Sequence, residues 1–410
     1  MDWTGASKPF ATLPAAPPRQ EAPPTVGVKE TKAAAHPRTA VLVVHGIGEQ
    51  NPFQTVDAFA RGLAAYHEAE GRKVELRHAL AERRDAQGDP WLENFVELRL
   101  EDGTALDLHE YYWAPLTEQR MKGGDVWQWF RKAIRGAERL KEVDRGLYER
   151  SFVVGKAARR LFKLGWVVTR VLYPLWWLLS HLSSLPGLSP ISRGLDLAGK
   201  LALRGYVEDV AIYTSMDAKS QYFEVRTRIL AHAQALLMDL LRDPRYDRVV
   251  LAGHSLGSVI SYDVLNRLQV RASAVDGMVG LEKLKRGGLV TFGSPLDEVA
   301  FFFLEHAEPA EWVRRGMMHD LHSFRAVDTR PLADRRLASP VKDVWDGMPW
   351  RNYHSPHDPI SGSLELYSPV TNVERPYPRH SAIRAHLAYW EDVEFYRDVD
   401  RRFLRPAQTP

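Results

Sequence analysis

The sequence predicts an α/β protein with a mostly parallel central sheet, helices on both faces and a helical insertion. Three observations carry that expectation. Val41 to Val44 and Val249 to Ala252 are short, continuous apolar runs, the pattern of strands covered on both faces. The segment from Gln221 to Leu241 places Val225, Ile229, Leu230, Ala233, Leu236, Leu237 and Leu240 at helical spacing. From about residue 118 to 204 this rhythm gives way to a basic stretch followed by an apolar one. A chain of 410 residues with 45% hydrophobic content is long enough for one large domain carrying such an insertion.

Residues 1–38 are rich in proline and alanine (Pro14, Pro17, Pro18, Pro23, Pro24, Pro37) without periodicity, and read as a disordered arm. Order is expected from Thr39. The first strand ends in His45-Gly-Ile-Gly48, at the strand end where ligands bind in open α/β sheets. A helix is expected from Thr55 to Ala69, with Val56, Phe59, Ala60 and Leu63 inward. Two alternating runs flanking Glu101-Asp-Gly-Thr104 predict a hairpin over 95–113. After the insertion, a strand is expected over 207–213, then the long helix, then the strand at 249–252. Residues 39–117 and 205–410 are therefore read as one domain.

The insertion, 118–204, opens with a basic helical segment that includes Arg131, Arg135, Arg139, Lys156 and Arg160. An apolar run from Leu164 to Leu179 follows, interrupted by Arg170 and Pro174. It is shorter than the ~20 residues that span a bilayer. Arginine and lysine beside Trp166, Trp176 and Trp177 suit a cap lying at a lipid interface, where these tryptophans would touch membrane or substrate. A cap packed on its own domain and a membrane span are the other readings; the lipid-touching cap is favoured.

The most informative stretch is Val249-Val-Leu-Ala-Gly-His-Ser-Leu-Gly257, a strand entering G-x-S-x-G and then an apolar helix. A sharp strand-to-helix turn lifts the hydroxyl of Ser255 above the sheet edge and aims the Leu256 N–H at a developing oxyanion. A second backbone donor is expected from Ile47 or Gly46. A serine nucleophile needs an imidazole to take its proton and a carboxylate to orient that imidazole, and on such a scaffold the chain order is serine, acid, histidine. Asp358, in the loop Ser355-Pro-His-Asp-Pro-Ile-Ser-Gly362, is the favoured acid, with Asp297 the alternative. His386 is favoured over His380 as base, at the entrance to a final helix running to about Phe403. His45 and His254 read as scaffold groups.

With these residues in view, H-G-I-G at 45–48, G-H-S-L-G at 253–257, T-F-G-S-P-L at 291–296, the segment from Asn352 to H-D-P-I-S-G that spans 352–362 and H-L-A-Y-W-E-D at 386–392 resemble the α/β-hydrolase superfamily. The similarity is to its lipase- and esterase-like branch and, distantly, to intracellular phospholipases of the DDHD type, whose acid also lies in an Asp-Pro loop. It covers 39–117 and 205–403, not the arm or the insertion. The resemblance implies the α/β-hydrolase fold and a serine hydrolase cleaving carboxylic esters, with an acyl-ester or lipid substrate. Two readings compete. One is a non-catalytic relative that binds a membrane or partner through the insertion. The other is an acyltransferase with the same triad.

A net charge of +3 gives no global field toward nucleic acid, and none is expected as a partner. The absence of cysteine excludes disulfides, thiolate catalysis and cysteine-ligated zinc. No histidine spacing suits a catalytic metal, so neither metal nor cofactor is expected. The start Met1-Asp-Trp-Thr-Gly lacks a basic segment followed by an apolar run; no signal peptide and a cytoplasmic location are expected, with peripheral membrane contact through 118–204.

Overall fold

The computed structural model describes residues 38–46, 51–84, 90–117, 213, 221–297, 310–322, 325, 336–358, 360–377 and 382–405. Residues 1–37 of the expected arm, all of the insertion with its three tryptophans, Ile47 and His380 lie outside them.

The described strands form one eight-stranded sheet: β1 (Arg38–Val44), β2 (Val74–Arg84), β3 (Pro90–Leu100), β4 (Ala105–Tyr111), β5 (Arg248–His254), β6 (Gly288–Phe292), β7 (Trp350–His354) and β8 (Thr371–Glu374). Their order is β2-β3-β4-β1-β5-β6-β7-β8. Every pairing from β4 across to β8 is parallel, and β3 alone runs against its neighbours. Strand β1 is central. After it the chain crosses to the outer edge and returns inward through β2, β3 and β4, and after β5, on the other side of β1, it builds outward. The crevice between the C-terminal ends of β1 and β5 is thus the place where the winding reverses, the usual ligand position in an open α/β sheet.

The continuous apolar character of β1 follows from its two covered faces. Ala40, Leu42 and Val44 pack with α2 (Gln221–Arg242) and α3 (Leu256–Ala274). Val41 and Val43 pack with α1 (Gln54–Ala69) and α7 (Val393–Val399) on the opposite face. Helix α3 is buried at every position from Leu256 to Asn266, so it is covered all round rather than along one stripe, and its polar Ser258, Ser261, Asp263 and Asn266 are buried with it. Gly257, in its first turn, lies hard against β1: a Cβ there would sit 2.2 Å from the Val44 carbonyl oxygen. The smaller helices are α4 (Leu281–Gly287), α5 (Trp312–His322) and α6 (Ala382–Leu387).

The hairpin over 95–113 is present as β3 and β4, turning at Gly103 with φ 87°. It is one strand wider than the sequence suggests, because β2 pairs with β3 along its whole length. Arg83 of β2 is held in the interior by Glu93 at 2.7 Å and Asp243 at 3.0 Å, while Leu76 and Leu80 are exposed. Of the strand expected over 207–213 only Tyr213 is described, and its backbone is helical. Its hydroxyl donates to Asp263 at 2.5 Å, and Arg226 also binds that carboxylate.

The single final helix is corrected. His386 lies in the last turn of short α6, a 3-10 turn spans Ala388–Glu391, and α7 begins afresh at Val393. Asp392 makes the break. Its extended backbone leaves the helix, and its carboxylate accepts the N–H groups of Glu394 and Phe395 as an N-cap. Among the described residues, no helix is long and apolar enough to cross a membrane.

Candidate active site

Five loops meet at the C-terminal edge of the parallel strands. The one after β5 carries Ser255, whose backbone has φ 53° and ψ −127°, a conformation rare for a residue with a side chain. Its N–H donates to the Phe292 carbonyl of β6 at 3.0 Å, and the Ser258 hydroxyl donates to the Gly253 carbonyl at 2.7 Å. The turn is therefore pinned from both sides. Leu256 is the first residue of α3, so its N–H has no acceptor within the helix and sits at the positive end of the helix dipole. Ser255 is buried, and its hydroxyl makes no hydrogen bond with any described residue.

The loop after β7 brings Asp358 to the same edge. Its side chain is fully buried. Oδ1 accepts the Ile360 N–H at 3.0 Å, and Oδ2 accepts from His386 Nδ1 at 2.9 Å and from the Tyr389 hydroxyl at 3.1 Å. With Nδ1–H committed to the carboxylate, Nε2 of a neutral His386 is an acceptor. That nitrogen makes no hydrogen bond with a described residue.

The remaining groups pack around these. A Cβ on Gly46 would fall 2.7 Å from Ser255 Cβ and 3.3 Å from His254 Nδ1. One on Gly293, the turn after β6, would fall 3.1 Å from His386 Cε1 and 3.2 Å from His254 Nε2. His254 therefore lies between the β1 loop and the histidine loop. Its Nε2–H donates to the His386 carbonyl at 3.1 Å, and its ring lies 4.7 Å from that of His386. Burial, then the neighbouring His386, hold its pKa well below the ordinary histidine value. It is a neutral prop.

His45 is a second neutral prop. Nε2 accepts the Trp113 N–H at 3.0 Å, which leaves Nδ1–H to donate to the Gly46 carbonyl at 2.6 Å. Its ring stacks on Trp113 with centroids 4.8 Å apart. Burial lowers its pKa to about 4. A depressed folded-state pKa means the unfolded chain binds the proton first, so this group's contribution is present above pH 6.5 and is lost as pH falls toward 4. The loss amounts to about 3 kcal/mol. Urea denaturation of wild type and His45→Gln between pH 7 and pH 4 is expected to show the steeper decline in the wild type. Parallel declines would exclude this origin.

Asp297, the alternative acid, is not beside either imidazole. Its oxygens accept the N–H groups of Glu365 at 3.0 Å and Leu366 at 3.4 Å, and burial raises its pKa to about 7. It anchors the far end of the loop that carries Asp358. Asn352 anchors the middle of that loop, donating to the Gly362 carbonyl at 2.9 Å while accepting from Thr291. The sequence reading missed Tyr389. A signal for it existed, because it follows His386 by three residues and so shares its face of the chain. Among the described residues, no group of histidine and acidic side chains is arranged to hold a metal ion.

Compared with protein-family models, curated proteins and solved structures, the chain matches none.

Proposed function

We propose that this protein is a serine hydrolase of carboxylic esters, built as an α/β-hydrolase with a helical cap over 118–204 and acting on lipid-like or other acyl esters. The observation that carries the reading is the strained Ser255 turn, whose hydroxyl has no partner among the described residues, at the sheet edge where Asp358 orients His386. An orphan donor and an imidazole whose free nitrogen is an acceptor are complementary halves of a proton transfer.

In the proposed reaction Ser255 Oγ attacks the ester carbonyl while His386 Nε2 takes its proton. Asp358 stabilises the imidazolium so formed. The Leu256 N–H binds the oxyanion, with a second donor from the loop at Gly46 and Ile47. Each such donor is worth about 3 kcal/mol in the transition state. His386 then protonates the departing alcohol, and water, activated by the same imidazole, releases the acid. The extra hairpin β2–β3 lies at the sheet edge beyond β4 and leaves this crevice unaltered.

The direct test is labelling with a fluorophosphonate, alongside turnover of p-nitrophenyl esters of graded chain length with and without lipid vesicles. Labelling of the wild type that is lost in Ser255→Ala is expected. A rate optimum at long acyl chains would place the substrate among lipids. An unlabelled wild type in all conditions would refute the hydrolase reading.

A further inference from the structure

The hydrogen bonds around Asp358 include one that a Ser-His-Asp mechanism does not require. Tyr389 is fully buried, and its hydroxyl reaches the same oxygen, Oδ2, that receives His386 Nδ1–H. The two donors come from one short piece of chain. His386 ends α6, and Tyr389 lies in the 3-10 turn that follows, three residues on, where side chains of a helical chain fall on one face. The Ile360 N–H takes the other oxygen. The carboxylate is thus fixed in its plane at both ends.

Tyr389 is itself held firmly. Its ring meets Tyr377 edge-on with centroids 4.8 Å apart. The Tyr377 hydroxyl donates to Asp392 at 2.7 Å, and Arg375 grips Asp392 with two bonds at 2.6 and 2.8 Å. The same Asp392 starts α7. A part-buried ion pair and an N-cap therefore hold the segment beside which the Tyr377 ring packs on Tyr389, a ring contact that does not depend on the Tyr377 hydroxyl.

We infer that Tyr389 is a positioning residue for the acid–base pair, sharing the Asp358 charge with His386 and fixing the direction from which that charge is felt. This rests on the proposed Ser255–His386–Asp358 mechanism. Burial and the Asp358 charge keep the phenol protonated far above neutral pH, so toward Asp358 it serves as a donor. A hydrogen bond to the carboxylate draws charge away from the imidazole side, and removing it leaves more negative potential at His386. The imidazolium is then favoured, yet the carboxylate is less firmly oriented.

Tyr389→Phe keeps the ring and removes the bond. The expected result is a kcat about tenfold lower with KM little changed, as for loss of a hydrogen bond to a charged group. The acid limb of the kcat/KM profile should move up by about half a pH unit. Tyr377→Phe, which removes a neighbouring buried hydroxyl not bonded to Asp358, should leave that limb in place. Titration of His386 by NMR in the full chain labelled with 15N-histidine reads the same shift without turnover. An unmoved His386 titration in Tyr389→Phe, or an equal shift in Tyr377→Phe, would overturn the inference. A wild type that neither labels nor turns over esters would sink the hydrolase reading, while the NMR titration would still decide the role of Tyr389.

Discussion

Ser255→Ala and His386→Ala are each expected to lower kcat by about a million-fold, and the double variant by no more than either alone. The reason is that the hydroxyl and the imidazole act as one unit. Without His386, the Ser255 hydroxyl has no described group to take its proton; without Ser255, the imidazole has no attached nucleophile to activate. What survives comes from oxyanion binding at the Leu256 amide and from substrate binding alone, which in enzymes of this chemistry still exceeds water by 10³–10⁴-fold. Single-turnover kinetics on the three variants with one activated ester would measure this. Losses that multiply in the double variant would mean that the two residues act independently, and the proposed mechanism would have to be abandoned.

The second large effect separates two aspartates. Asp358→Asn should lower kcat by about 10⁴-fold, because an amide no longer fixes the His386 tautomer whose Nε2 accepts a proton. Asp297→Asn should change kcat by less than about tenfold, since Asp297 binds only the backbone of Glu365 and Leu366. Its stability effect has the opposite sense. Burial raises the folded-state pKa to about 7, so the folded form holds a proton that the unfolded chain releases near pH 4. The contribution of this group is therefore greatest at low pH and is lost as pH rises through 7. Asn resembles the protonated acid, so the Tm of Asp297→Asn at pH 8 should equal or exceed that of the wild type. A larger kinetic loss at Asp297 than at Asp358 would reverse the assignment of the acid.

The parts of the molecule that could be read from the chain are those in which local chemistry and tertiary role agree. Residues 40–44 of β1 and 249–252 of β5 are apolar without interruption because both faces of the sheet are covered, and the turn at Ser255 needs small neighbours because α3 lies against β1. That Asp358 and His386 would come together was legible from chain order and loop chemistry. Strand β2 was not. Val74-Glu-Leu-Arg-His-Ala-Leu-Ala-Glu-Arg-Arg84 is composed of good helix formers, and it is extended because β3 pairs with all of it and Arg83 finds buried acids. Nor was the stop at Asp392, where a cap, an ion pair with Arg375 and a bond from Tyr377 converge from separate elements. The role of Asn352 was hidden for the same reason: its partners lie on β6, on β8 and in the loop beyond Asp358.

The pairing of β1 with β5 also governs the order in which the molecule assembles. Arg38 and Asp247, which meet at the start of this pairing, are 209 residues apart in the chain. Closing a loop of that length costs about 5 kcal/mol of chain entropy, some 3 kcal/mol more than a ten-residue turn. Strands β5, β6 and β7 are joined by far shorter connections, and so is the hairpin β3–β4. Contact order therefore predicts that each group forms on its own side before the centre closes. Until it does, Val249, Val250, Leu251 and Ala252 present an open apolar edge of the kind that invites wrong pairing. The pairing that completes the crevice is also the one that takes that edge out of reach.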